Sequence, residues 1–141
     1  MRLTRRYRFS ASHRLHSPAL SESENARVYG KCNNPHGHGH DYVLEVSVCG
    51  PLGPRSARVV EVATLDRLVE EHVLSRLRHR DLNSEAPELA GAPPTTENLA
   101  AGIARSLASQ WERAFPEGSP VLERVRIHET PNNVFQVSEV I

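Results

Sequence analysis

Three histidines stand at alternate positions in one short stretch, His36, His38 and His40, with Gly37 and Gly39 between them and Cys32 just ahead. In an extended chain, side chains two apart point the same way. Two neighbouring members of this series can therefore aim their imidazoles at one point. From spacing alone the pair is either His36/His38 or His38/His40. A further histidine, His13, ends the inward face of an earlier strand. An antiparallel pairing of the two strands would bring it to the His-x-His pair. Three neutral imidazoles with one open position form a common catalytic zinc arrangement. A single loop histidine is an ordinary polar residue, but the pair plus a same-face partner points to zinc. Cys32 and Cys49 are too far apart for a Cys-x-x-Cys clamp, which argues against a closed structural zinc site.

Other residues can act near such an ion. Cys32 follows Lys31 in a Gly/Asn/Pro-rich segment, and a nearby cation or metal favours the thiolate. Cys49 has the opposite strand parity from the histidine pair and reads as structural. Glu129 ends an inward-facing strand parity, where a carboxylate is costly unless paired. It suits a salt bridge, or a ligand that offers two parallel donors to its two oxygens. His79 by itself reads as a surface or capping histidine.

These residues need elements to position them. Residues 2–13 alternate as a strand, with Leu3, Tyr7, Phe9, Ala11 and His13 on one face. Residues 14–35 show no periodicity and read as a long loop, a feature that is often functional. A second strand runs from about His38 to Cys49, then the Gly/Pro-rich turn 50–54. Val59–Val62 is expected to be a short third strand pairing back on the second. A helix is expected from about Thr64, with Leu65, Leu68, Val69, His72, Val73 and Leu77 at helical spacing. A second helix opens at Thr95 or Thr96, carries Leu99, Ile103, Leu107, Trp111 and Phe115, and stops at Pro116 and Gly118. Strands over Val121–Glu129 and Val134–Val140 close the chain, with Val121, Val125 and Ile127 expected on the inward face of the first. The expected class is α+β: a mainly antiparallel sheet with two helices packed on one face, in the order ββ(β)ααββ.

The 141 residues suit one domain, 1–141, with a single core. Lys plus Arg equals Asp plus Glu at 17 each, so no charge excess points to nucleic acid or a membrane surface. No apolar run is long enough to span a bilayer. The basic N-terminus lacks a signal peptide's apolar core. Two cysteines make no disulfide scaffold, so a reducing cytoplasm is the expected location.

Five motifs in order carry a resemblance. They are Phe9-Ser-Ala-Ser-His13-Arg-Leu-His16-Ser-Pro18, Tyr29-Gly-Lys-Cys32-Asn-Asn-Pro, Gly37-His38-Gly-His40-Asp-Tyr42, Thr95-Thr96-Glu97-Asn98 and His128-Glu129-Thr130-Pro-Asn-Asn133. Together they resemble the 6-pyruvoyl-tetrahydropterin synthase family, whose wider membership includes the 6-carboxytetrahydropterin synthase of the queuosine pathway. The long loop with Asn25 and the Lys-Cys-Asn-Asn-Pro spacing are more similar to the pyruvoyl branch. Members keep a fixed distance from the second zinc histidine to the glycine closing the strand. Counting back from Gly50 selects His38 and His40, leaving His36 as a loop neighbour.

The resemblance implies a tunnelling fold, in which trimers close a β-barrel and stack as hexamers with active sites at subunit interfaces. It implies Zn2+ on His13, His38 and His40, with 7,8-dihydroneopterin triphosphate as substrate and loss of triphosphate with internal redox. Cys32, His79 and Glu129 would be the catalytic set, and Thr95, Thr96 and Glu129 the pterin contacts. One departure stands out: the family usually places Asp before the histidine equivalent to His79, and here it is Arg78. Arginine cannot accept the hydrogen bond that orients that histidine. Asp81 or Glu129 would then have to compensate, or Arg78 would face the triphosphate. Competing readings are the carboxy-forming enzyme, a pterin- or zinc-binding module without turnover, and a metal-storage protein.

Overall fold

The computed structural model describes residues 1–89, 91–138 and 140. Its centre is a four-stranded antiparallel sheet, β1 (Arg2–His13), β2 (His38–Cys49), β3 (Val121–His128) and β4 (Val134–Ser138), ordered as in the chain. Between the strands lie α1 (Glu22–Tyr29), a 3-10 turn (Gly30–Asn33), α2 (Val62–Val69), a π-helical segment (Glu70–Leu74), α3 (Ser75–Leu77) and α4 (Thr96–Ala114). Alternation puts Phe9, Ala11 and His13 of β1 and Tyr42, Leu44, Val46 and Val48 of β2 on the covered face. Leu65, Leu68 and Val69 of α2 and Leu99, Ile103, Leu107 and Trp111 of α4 close over them. Fully burying each such side chain is worth roughly 1.5–3 kcal/mol. Trp111 also donates its Nε1–H to the Pro120 carbonyl at 2.8 Å, tying the end of α4 to the entry of β3.

Three expectations are corrected. The segment 14–35 contains helix α1, whose start is a reciprocal capping box: Glu24 N–H donates to Ser21 Oγ, and Ser21 N–H donates to the Glu24 carboxylate. Val59–Val62 is not a strand. Both edges of β2 are taken by β1 and β3, and Val62 opens α2 instead, three residues before Leu65. On β3, Leu122 rather than Val121 joins Val125 and Ile127 in the core. A bulge between Ser47 and Val48 of the β2 register places an extra residue on β3 and shifts its parity. β4 ends at Ser138; the expected extension to Val140 crosses residue 139, outside the described residues.

Candidate metal and active site

The β1–β2 register places His13 opposite His38 and Ala11 opposite His40. Gly37 makes this possible: its φ is +70°, and a Cβ there would lie 3.1 Å from the His13 carbonyl oxygen. The chain therefore turns tightly into β2 right beside the end of β1. The Nε2 atoms of His13 and His38 lie 3.3 Å apart and those of His38 and His40 2.8 Å apart. The rings meet edge to face, with centroids 4.6 to 5.0 Å apart. His13 is buried, and its Nδ1 lies 2.8 Å from the Pro94 carbonyl. A carbonyl only accepts, so Nδ1 carries the proton and Nε2 presents a lone pair. Nitrogens bound about 2.0–2.1 Å from a tetrahedral zinc stand ~3.3–3.4 Å apart; the His13–His38 pair matches this at 3.3 Å, and the His38–His40 pair is closer, at 2.8 Å. A cation at the meeting point would take Nε2 lone pairs from these rings as its ligands. Burial pulls the pKa of His13 and of His40 down, keeping both in the neutral form that ligates.

Glu129 stands at the fourth side, its Oε1 3.1 Å from His40 Nε2 and 3.9 Å from His13 Nε2. Two groups of donor atoms thus have the spacing of metal ligands, His13/His40/Glu129 and His13/Cys32/His38, each within 4.8 Å of one another. Cys32 is half-buried in the 3-10 turn, where its carbonyl accepts from Leu15 N–H at 2.7 Å. Burial, and then the charge on Glu129, push its thiol pKa up. The chain's own groups therefore favour the neutral thiol, contrary to the expectation from Lys31, which is exposed. A metal cation beside the sulfur acts in the opposite direction.

The start of α4 forms another wall. Thr95 Oγ1 caps the helix by accepting from Asn98 N–H at 3.3 Å. Thr96 is buried, and its Oγ1 has no hydrogen-bond partner among the described residues. Tyr42, two residues after His40 on the same strand face, is 1% exposed. Its ring stacks on Phe9 at 5.1 Å and lies 5.5 Å from the His40 ring. Burial, then the charges of Glu129 and Cys32, raise its pKa and keep it a phenol. Its i+2 relation to His40 is a sequence signal that the two side chains share a strand face.

His36 is exposed and outside the cluster. His79 is also outside it. It is exposed, has a left-handed φ of 59°, and its N–H donates to the Ser10 carbonyl on the outer edge of β1. There it lines an open cavity of about 370 Å³ with Arg8, Phe9, Ser10, Asp41, Tyr42 and Arg78. Arg78 is gripped by both oxygens of Glu70, at 2.9 Å each. Asp81 bonds within its own turn, to Asn83 N–H and Ser84 Oγ, and does not orient His79 among the described contacts.

Comparison with known proteins gives a consistent result. The family model described as 6-pyruvoyl tetrahydropterin synthase matches residues 2–140. The 6-pyruvoyl tetrahydrobiopterin synthase of Drosophila melanogaster is 46% identical over 132 residues, spanning 94% of this chain and 76% of that protein. The Homo sapiens protein of the same name is 42% identical over 132 residues, spanning 94% and 87%. The solved structure of Caenorhabditis elegans 6-pyruvoyl tetrahydropterin synthase aligns with a TM-score of 0.88 at 37% identity, covering 98% of this chain and 94% of that one. No described helix is long and apolar enough to cross a membrane.

Proposed function

The chain belongs to the 6-pyruvoyl tetrahydropterin synthase family, and from that premise we propose that it is a zinc-dependent lyase making 6-pyruvoyl-tetrahydropterin from 7,8-dihydroneopterin triphosphate. The observation that carries this reading is the convergence of three imidazole Nε2 atoms with the Glu129 carboxylate and the Cys32 thiol beside them.

His13, His38 and His40 would hold the metal. Bound there, zinc supplies Lewis acidity that polarises the substrate's side-chain oxygens and acidifies the neighbouring C–H bonds. Cys32 would take and return a proton on that side chain; its sulfur beside His13 and His38 supports this role. Glu129 accepts from the pterin 2-amino group and ring N–H, a pair of donors suited to two carboxylate oxygens. Thr95 and Thr96 contact the ring from the α4 N-terminus. His79 serves as the relay partner from an adjacent subunit, which accounts for its place on the outer edge of β1. Arg78, committed to Glu70, leaves His79 to work without the usual aspartate.

Subunit pairing fits the sheet. Residues 79–82 bond to β1 only along Ser10–Ser12, so Arg2–Arg8 offers an open edge, as does the outer edge of β4 among the described residues. A trimer or hexamer would close these edges.

The test is zinc content followed by product identification. Zinc-loaded protein given 7,8-dihydroneopterin triphosphate should release triphosphate and 6-pyruvoyl-tetrahydropterin. Cys32→Ala should cut turnover by at least about 100-fold while retaining zinc. Acetaldehyde with a 6-carboxypterin would instead identify the carboxy-forming activity, and no triphosphate release would reject the enzyme reading.

A further inference from the structure

We propose that the Tyr42 hydroxyl is a substrate-binding group of this site, donating a hydrogen bond to an acceptor atom of the bound pterin. The inference rests on the pterin reading above and adds a residue to it. Tyr42 is 1% exposed, and its hydroxyl is buried with no hydrogen-bond partner among the described residues. Buried hydroxyls are nearly always satisfied, because leaving one unpaired loses its hydration without return. The ring's packing does not need the oxygen. Stacking on Phe9 and the edge contact with His40 would be the same for phenylalanine. The position thus carries a polar atom that costs stability in the ligand-free chain, a pattern characteristic of functional sites.

Its location says what the atom is for. β2 aims Tyr42 into the same side of the sheet as His38 and His40, and its ring lies 5.5 Å from that of His40. A carboxylate such as that of Glu129 suits the donors of a pterin. A pterin also presents ring nitrogens and a carbonyl that accept. Tyr42 O–H is a neutral donor on the same side of the sheet as Glu129. Thr96 Oγ1, likewise buried without a partner, offers a second at the mouth of α4. The pairing of one carboxylate with unpaired hydroxyls matches a ligand with mixed donors and acceptors.

The experiment compares Tyr42→Phe with wild type as zinc-loaded protein, using 7,8-dihydroneopterin as the probe and calorimetry for affinity. The expected result is an affinity about 10-fold weaker, the equivalent of one lost hydrogen bond to ligand. Zinc content should be unchanged, and the ligand-free Tm equal to or above wild type. Equal affinities overturn the proposal, and so does a lower Tm in Tyr42→Phe, because it would mean a structural partner for the hydroxyl. If the variant does not fold, the wild-type complex with 7,8-dihydroneopterin decides by crystallography: a phenolic oxygen beyond hydrogen-bond distance of every ring atom overturns it. Wild-type binding without triphosphate release would count against the enzyme reading alone, leaving the Tyr42 result to stand. Wild-type protein that binds no pterin would overturn both.

Discussion

His13 is held by more than its backbone. The Pro94 carbonyl fixes its tautomer, and burial keeps it neutral, so its lone pair is aimed before any ion arrives. His38→Ala or His40→Ala should therefore drop zinc from about one ion per chain to a small fraction of that, measured by atomic emission, while His36→Ala keeps full occupancy. Glu45 illustrates a residue on the opposite face. It is buried on β2, 2.7 Å from Arg6, 3.4 Å from Arg126 and 3.5 Å from His128. Burial pushes its carboxyl up, but the Arg6 hydrogen bond and His128 outweigh this and hold it below the usual carboxylate range. A lowered folded pKa contributes stability fully present above the ordinary value of about 4.3 and lost as pH falls through the folded value. Wild-type Tm should thus fall more steeply below about pH 5 than that of Glu45→Gln. At pH 7 the variant should be about 1–2 kcal/mol less stable by urea unfolding.

At the scale of elements, α1 determines where Cys32 sits. Asn25 is fully buried, and its side chain spans the bend before the helix. Its Nδ2 donates to the carbonyls of Ser17, Leu20 and Ser21, and its Oδ1 accepts from Ser17 N–H. The 3-10 turn that follows is stitched to 14–16 through Leu15 N–H to Cys32 O and Asn33 Nδ2 to Leu15 O. Asn25→Ala leaves several of these groups unpaired, at a cost of about 2 kcal/mol. Amide hydrogen exchange across residues 14–37 should speed up while α4 stays protected, and alkylation of Cys32 should become faster. The helix itself was legible in principle. Ser21-x-x-Glu24 is a capping box, but without apolar periodicity behind it the stretch reads as loop, because α1 buries only Asn25. α4 was legible for the opposite reason: Leu99, Ile103, Leu107 and Trp111 recur every four positions along it.

For the whole molecule, the separation of His79 from Cys32 leads to a test that a single chain cannot pass. Cys32→Ala and His79→Ala should each be inactive alone. Unfolded together and refolded as mixed oligomers, they should recover roughly a quarter of wild-type activity, since random assembly pairs two intact halves in that fraction of shared sites. Sedimentation should give a mass well above that of one chain. Activity in His79→Ala alone would place His79 outside the site, and no recovery in the mixture, or a monomeric mass, would overturn a site shared between chains.

The sequence by itself determined the strands that carry the clustered histidines, the long helix, and the family, because each rests on local periodicity or on motifs read in order. It could not choose between His36/His38 and His38/His40 from spacing, since both pairs share one strand parity. The strand start read at His38, and the pair that the family resemblance selected, hold in the structure, which adds the cause: Gly37 turns tightly against His13 and leaves His36 outside. Only the tertiary structure decided the β3 parity, through a bulge with no sequence signature, and that Val59–Val62 forms no strand, because β2 had no free edge to offer. The unpaired Tyr42 hydroxyl belongs to the same class: whether a buried polar atom has a partner depends on residues distant in the chain, which no local pattern records.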